Sequence, residues 1–397
     1  MLSRVVKGRR LTYLDSASSS LPPRTVIEAI DRYYSLHHAN VHRGVYTTAN
    51  EATEIFEGAR AGVAHFLNAP GGSDEVVFTH GTTESMNLLA RSWGAANLRA
   101  GDVVLVSQME HHANIVPWFQ LRETHGIEVR FIPVGEDFRL DLSGIDDLMR
   151  GVRLVSVTGM SNVLGTINPV AALARVAHEH GALIAVDGAQ SVAHLGTDLS
   201  ALDIDFLAFS GHKMLGPTGI GVFWTRREIL ADMPPFLGGG GMIRDVREDG
   251  YTPATGPTRF EAGTPPIAEA AGLGAAVRYL ESLGMDALAA HERELTADAL
   301  TRLAQEFDGR VRVIGPATPE QRGGVLSLDV EGVHPHDVAQ ILDQYGVCVR
   351  PGHHCAKPLM RRFGLAATAR ASFGPYSLTA DTDVLIEALG EAVKLFG

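Results

Sequence analysis

Cysteine is scarce in this chain: its 397 residues include two, Cys348 and Cys355. Two such residues cannot build a disulfide framework, so a reducing, cytoplasmic setting is expected. Long hydrophobic runs are missing too, with no stretch near the roughly 18 apolar residues of a membrane span. The cations Arg4, Lys7, Arg9 and Arg10 precede no apolar segment of the secretory-leader kind. Positive charge is outnumbered, 34 Lys and Arg against 46 Asp and Glu, for a formal net charge of −12. That balance argues against nucleic acid, which needs a basic face. No internal repeat or low-complexity tract is present. What remains, 45% hydrophobic and 20% charged residues, reads as a globular enzyme of two domains with no membrane partner.

The informative stretch lies between residues 183 and 213. It reads LIAV-Asp187-Gly-Ala-Gln190, then FLAF-Ser210-Gly-His212-Lys213. Each half is an apolar run ending abruptly in polar residues, as expected of a buried parallel strand whose carboxyl end opens on a site. One end supplies a carboxylate and an amide, the other a hydroxyl, an imidazole and a lysine. That set suits pyridoxal 5'-phosphate (PLP): an aldehyde for the lysine, a ring nitrogen for the carboxylate, a phosphate for small donors.

Other segments fall in line. LTYLD-Ser16 reads as a strand, Pro22-Pro23 as the start of a helix, and residues 48–67 as another helix. EVVF-Thr79-His-Gly81-Thr82-Thr83-Glu84 reads as strand, glycine turn and helix N-terminus, a phosphate cradle by its free N–H groups. DVVLV runs into His111-His112; no metal-ligand spacing follows, and a flat imidazole stacked on a cofactor ring is the better use of one of them. A strand ends at Ser161-Asn162, and a helix runs from Asn168-Pro169 to Gly181. Alternating strands and helices imply a parallel sheet with ligands at its carboxyl edge. Residues 238–264 read as a loop or hairpin excursion, and the chain turns helical from Pro265. Strands near Val311 and Val325, a helix from Pro335 to Tyr345 and a strand Val347–Arg350 then complete a compact α+β unit.

Cys355 follows that last strand in Arg350-Pro-Gly-His353-His354-Cys355-Ala-Lys. Nearby positive charge favours the thiolate, making the sulfur a nucleophile. Cys348 lies within the apolar run GVCV and reads as inert. Arg370 interrupts a small-residue stretch; its planar fork suits a carboxylate, although alone it reads as a surface ion-pair member.

Taken together, GTTE, SQMEHHANIVPW, SNVLGT, VDGAQ, SGHKMLGPTGIG, RFEAGTP, RPGHHCA and ARAS resemble the class V group of fold-type I PLP enzymes. Within it the chain resembles the SufS-type, group II cysteine desulfurases, close relatives of selenocysteine lyases. The resemblance implies an α/β large domain over 15–264, with a mostly parallel seven-stranded sheet between helices. It implies a smaller α+β domain from 1–14 and 265–397 that carries the cysteine loop. It implies PLP held by Lys213, Asp187 at the ring nitrogen, Gln190 at the phenolic oxygen and His111 on the ring. Thr82, Thr83, Ser210 and His212 would hold the phosphate, with Thr264 reaching the partner's site in a homodimer. Asn162, Arg370, His42 and Arg350 would bind substrate. Cys355, Lys213 and His111 would be catalytic, converting L-cysteine or L-selenocysteine to alanine with a persulfide on Cys355. A SufE-like or SufU-like protein would accept the sulfur for iron–sulfur cluster assembly, and no metal is implied. The alternatives are a class V aminotransferase, epimerase or C–S lyase that leaves the thiol unused, or a zinc or redox site on a structural protein.

Overall fold

Seven strands form the central sheet of the computed structural model, which describes residues 1–396. In spatial order they are Val76–Thr79, Gly221–Thr225, Phe206–Ser210, Leu183–Asp187, Val152–Thr158, Val103–Ser107 and Glu128–Ile132. Gly221–Thr225 is antiparallel to both neighbours, and the other pairings are parallel. This is the α/β architecture implied by the alternation of strand and helix signals.

Successive side chains on a strand point to opposite faces, so each strand feeds two cores. Val103, Leu105, Leu207, Phe209 and Trp224 face one side, with helices Thr47–Phe66, Val170–Glu179 and Ile267–Leu283. Val104, Val106, Phe206, Ala208 and Phe223 face the other, with Trp93, Trp118 and Leu121. Burial on both faces is why strands such as Val103–Ser107 and Phe206–Ser210 read as unbroken apolar runs. The parallel arrangement then gathers the polar residues after each strand at one edge.

A second unit stands on its own core. Its antiparallel sheet has the order Val311–Ile314, Val325–Val330, Thr368–Ser372, Arg350–Gly352. Helices Met285–Phe307, Pro335–Gln344 and Thr379–Phe396 cover it. Leu14 from the N-terminal segment joins this core, and Thr12–Tyr13 pairs in parallel with Val347–Cys348. The single strand expected over Val347–Arg350 is thus divided. Its first half pairs with the N-terminus, while Arg350–Gly352 pairs with Thr368–Ser372.

Helix Ile267–Leu283 departs from the division by composition. The sequence places it with 265–397, but Ile267, Leu273, Val277 and Leu280 are buried in the first core. Gly272 and Gly274 permit the close approach: a Cβ at Gly272 would meet Ile30 at 2.9 Å, and one at Gly274 would meet Ala59 at 3.1 Å. Composition registers that a segment is helical; which core it faces depends on these glycine contacts. The excursion at 238–264 contains an exposed hairpin, Ile243–Arg247 with Gly250–Pro253.

A buried ion pair joins the two units. His194 ends the short helix Ser191–His194, and its Nδ1 lies 2.9 Å from the Glu292 carboxylate on Met285–Phe307. Burial opposes the imidazolium, but the Glu292 charge and hydrogen bonds outweigh it and lift His194 above its usual 6.5. A histidine with a raised folded pKa stabilises fully below the unfolded value and loses that contribution as pH climbs through the folded one. The stability gap between wild type and His194→Gln should therefore be widest near pH 6 and narrow above about pH 6.5. Urea unfolding across a pH series measures it; a gap that widens with pH would contradict the assignment.

Candidate active site

The carboxyl edge of the large sheet holds most of the expected residues. Asp187 ends its strand 3% exposed; one oxygen accepts from the Ala189 N–H at 2.9 Å, and the other has no partner among the described residues. On the adjacent strand Ser210 precedes Gly211-His212-Lys213. Lys213 is half-buried and makes no hydrogen bond or ion pair among the described residues. Burial and the Arg370 charge lower its amine from the usual 10.5, with Asp187 and Cys355 opposing. Burial raises the Asp187 carboxyl, opposed by Lys213. Gln190 is buried; its Nε2 donates to the Ala17 carbonyl at 2.8 Å, while its Oε1 has no partner.

His111 is held flat by a hydrogen bond from the Ala113 N–H to its Nδ1 at 3.1 Å. Burial, Lys213 and His112 push it down to about 3, so it is a neutral ring. His212 is neutral for a related reason, lowered to about 4 by burial and Lys213.

At the neighbouring turn Gly81 precedes the helix beginning at Thr82. Ser210 Oγ accepts from the Thr82 N–H at 2.8 Å and lies 2.7 Å from the Thr82 hydroxyl. Thr82 and Ser210 are therefore engaged with each other, and Thr83 is the exposed hydroxyl of the turn. These donors fit a phosphate beside Thr83 and His212, a protonated ring nitrogen at Asp187 and an aldehyde at Lys213. The orphaned Gln190 oxygen and the unpaired lysine are what a missing polar group would satisfy.

The cysteine loop comes from the second unit and crosses to this edge. The His112 N–H donates to the Cys355 carbonyl at 2.7 Å, and Asn162 Nδ2 donates to the His354 carbonyl at 2.8 Å. His354 and Cys355 both have left-handed backbone, φ 50° and 55°, a strain of about 1–3 kcal/mol each for non-glycine residues. The loop bonds hold that conformation and leave Cys355 exposed. Its sulfur is within electrostatic reach of Lys213, Arg350 and Arg370. Arg370 is not the surface residue its isolated sequence context suggests. It is 2% exposed, and its Nη1 donates to the Asn162 carbonyl at 3.0 Å.

His42 and Thr264 lie elsewhere. Together with Arg43, Gly241 and Gly263 they line a cavity of about 450 Å³, and no hydrogen bond links them to Lys213 among the described residues. Cys348 is half-buried and free. No metal-binding cluster of His, Cys, Asp and Glu occurs among the described residues.

Two acidic residues of the site were not singled out from the sequence. Glu110, inside the quoted MEHH run, is fully buried and accepts from Ser107, the Thr158 N–H at 2.9 Å and Asn114 at 2.7 Å. It ties together two strand ends beside Asp187, and burial raises it to about 8. Asp15 lies between Arg350 and Arg370. Its position directly after LTYL at the end of an apolar run was the available signal.

The sequence matches the Aminotransferase class-V family over residues 12–385. It is 49% identical to a probable cysteine desulfurase of Streptomyces coelicolor, covering 99% of this chain and 95% of that one. The structure is similar to the apo cysteine desulfurase of Thermococcus onnurineus, with TM-score 0.93, 41% identity and coverage of 97% and 95%. It is similar also to the Escherichia coli cysteine desulfurase CsdA in its S-sulfonic acid form, with TM-score 0.91, 39% identity and coverage of 98% and 96%.

The Gly81 turn depends on the glycine facing it. A Cβ at Gly221 would collide with the Gly81 backbone and lie 2.6 Å from the Phe209 carbonyl, neither of which can rotate away. Gly221→Ala should cost about 1–3 kcal/mol and displace the turn from Ser210. Thermal unfolding and phosphate-ester binding report the two effects; an unchanged midpoint would contradict the packing argument.

Proposed function

The chain belongs to the class-V aminotransferase family and is a cysteine desulfurase, and from that premise we propose which of its residues carry the reaction. The observation that supports the assignment most directly is the unpaired Lys213 beside buried Asp187, with the exposed Cys355 loop anchored over the same edge. We assign the subtype to group II, SufS-like, on the short strand-anchored loop carrying RPGHHCA.

The cofactor of this reading is PLP, which when bound supplies an electron sink for the substrate Cα. Lys213 is the attachment point and moves the Cα proton at Nζ; burial lowers its pKa and so favours the neutral amine that a base requires. When the group is bound, the free Asp187 oxygen would accept from the protonated ring nitrogen, the Gln190 amide would hold the phenolic oxygen by an N–H, and the neutral His111 would lie against the ring. Thr83, His212, Ser210 and Thr82 form the phosphate end. Arg370 and Asn162 take the substrate carboxylate, with Arg350 and His42 at the approach. Cys355 Sγ then bonds the substrate sulfur as the Cβ–Sγ bond breaks. The electron pair stays with the carbon skeleton, a proton returns to Cβ, and alanine leaves a persulfide on Cys355. L-Selenocysteine fits the same machinery by size and charge.

The exposed position of Cys355 supports delivery to a protein acceptor of SufE-like or SufU-like type, in a reducing cytoplasm and for iron–sulfur cluster assembly. A homodimer gives His42 and Thr264 a role: their shared cavity would face the partner's phosphate. Exposed Tyr34, Leu36, Val45 and Tyr46 nearby supply an apolar contact. We place the boundary between the two units near Gly284, after helix Ile267–Leu283, with the N-terminal segment in the smaller unit.

Purified enzyme given L-cysteine and a reductant should yield sulfide and alanine in equal amounts. Cys355→Ala should keep the visible absorption of bound PLP and lose both products; normal turnover in this variant would favour the thiol-independent lyase reading. Lys213→Ala should lose covalent attachment, read by mass after borohydride reduction. Light scattering should give twice the chain mass, and a fully active monomer would remove the role given to Thr264.

A further inference from the structure

Arg350 and Arg370 stand directly opposite each other where Arg350–Gly352 pairs with Thr368–Ser372. Like charges in that register repel. Asp15 resolves the conflict: it is brought alongside by a parallel bridge to Ser372, and its carboxylate is 15% exposed. Arg350 Nη2 donates to Asp15 at 3.0 Å, and its Nε reaches the two oxygens at 3.2 and 3.3 Å. Arg370 Nη2 keeps a longer contact of 3.4 Å and donates to Ser18 Oγ at 2.8 Å. Ser18 Oγ in turn donates to Asp15 at 2.6 Å.

Two guanidiniums against one carboxylate leave one positive charge uncompensated. The short contacts belong to Arg350, so the deficit rests on Arg370, which is buried and has an unpartnered Nε. A deficit of that kind attracts one further carboxylate. We propose that Asp15 is a positioning residue that sets how firmly Arg370 grips the α-carboxylate of substrate and product. Arg350 draws Asp15 away from Arg370; Asp15 in turn competes for Arg370 and repels the incoming carboxylate. The product carries the same carboxylate as the substrate, so an arginine without this competitor would bind cysteine well and release alanine poorly. The proposal rests on Arg370 being the carboxylate anchor.

The test is calorimetric titration of PLP-loaded enzyme with L-alanine. Asp15→Asn should bind L-alanine about tenfold more tightly, since a carboxylate repulsion and a competitor are both removed. Its KM for L-cysteine and its kcat should fall together. Arg350→Met should bind L-alanine more weakly because Asp15 turns fully to Arg370, and adding Asp15→Asn should restore the affinity. A merely structural role for Asp15 gives weaker binding in both single variants and no restoration, which overturns the proposal. Arg370→Ala separates the premise: if L-alanine binding survives it, the anchor assignment and this inference both fall. If binding is lost there but Asp15→Asn binds no tighter than wild type, the inference alone falls. Asp15→Ser carries the same measurement should the Asn variant not fold.

Discussion

The site depends on placing opposite charges, Asp187 and Lys213, after adjacent parallel strands, with Asp187 buried and Lys213 half-buried. Either alone would be costly in so dry a place, since an isolated buried charge is driven toward neutrality. Desolvation raises the aspartate and lowers the lysine, and each charge opposes the other's shift and so offsets part of that cost. Parallel strands make this arrangement possible, because every strand of the set opens at the same edge. His111, Asn162, Gln190 and Thr82 come to that edge for the same topological reason.

The second unit supplies what the sheet lacks. Its antiparallel strands bring Arg350 and Arg370 face to face, and its loop carries Cys355 across to the sheet edge. The half-buried lysine and the exposed thiol therefore reach the same edge from different units, one from the sheet and one from the loop. The strained backbone at His354 and Cys355 persists because His112 and Asn162 hold its carbonyls from the other unit. Glu110 serves the floor of the same structure by locking the loop that presents His111 to two strand ends.

Much of this was legible in the residues. Asp187, Lys213 and Cys355 each terminate an apolar run with chemistry-bearing groups, and a buried strand that stops abruptly leaves little else for such groups to do. Strands such as Val103–Ser107 and Phe206–Ser210 were legible because both faces are buried, whereas the edge strand Glu128–Ile132, buried only at Ile132, carries no apolar run. Arg370 in isolation resembled a surface residue, for charge and local composition carry no record of depth. Helix Ile267–Leu283 misled for the same reason, its small residues marking a close packing partner whose identity is non-local. The split of the strand at Val349 reflects two pairing partners, the N-terminal segment at the far end of the chain and Thr368–Ser372 a short loop and helix further on.

Short segments carry the candidate groups, a lysine and a carboxylate after apolar runs and a thiol in a basic turn, and their family motifs carry the resemblance. Those signals are local, set by side chains a few residues apart on one strand or turn. The tertiary structure alone decided which of them meet. It put Asp15 between two arginines from different strands, left His42 and Thr264 around a separate cavity, and paired His194 with Glu292 across the two units. Such contacts depend on strand order and register, which follow from the packing of the whole chain and not from any window of it.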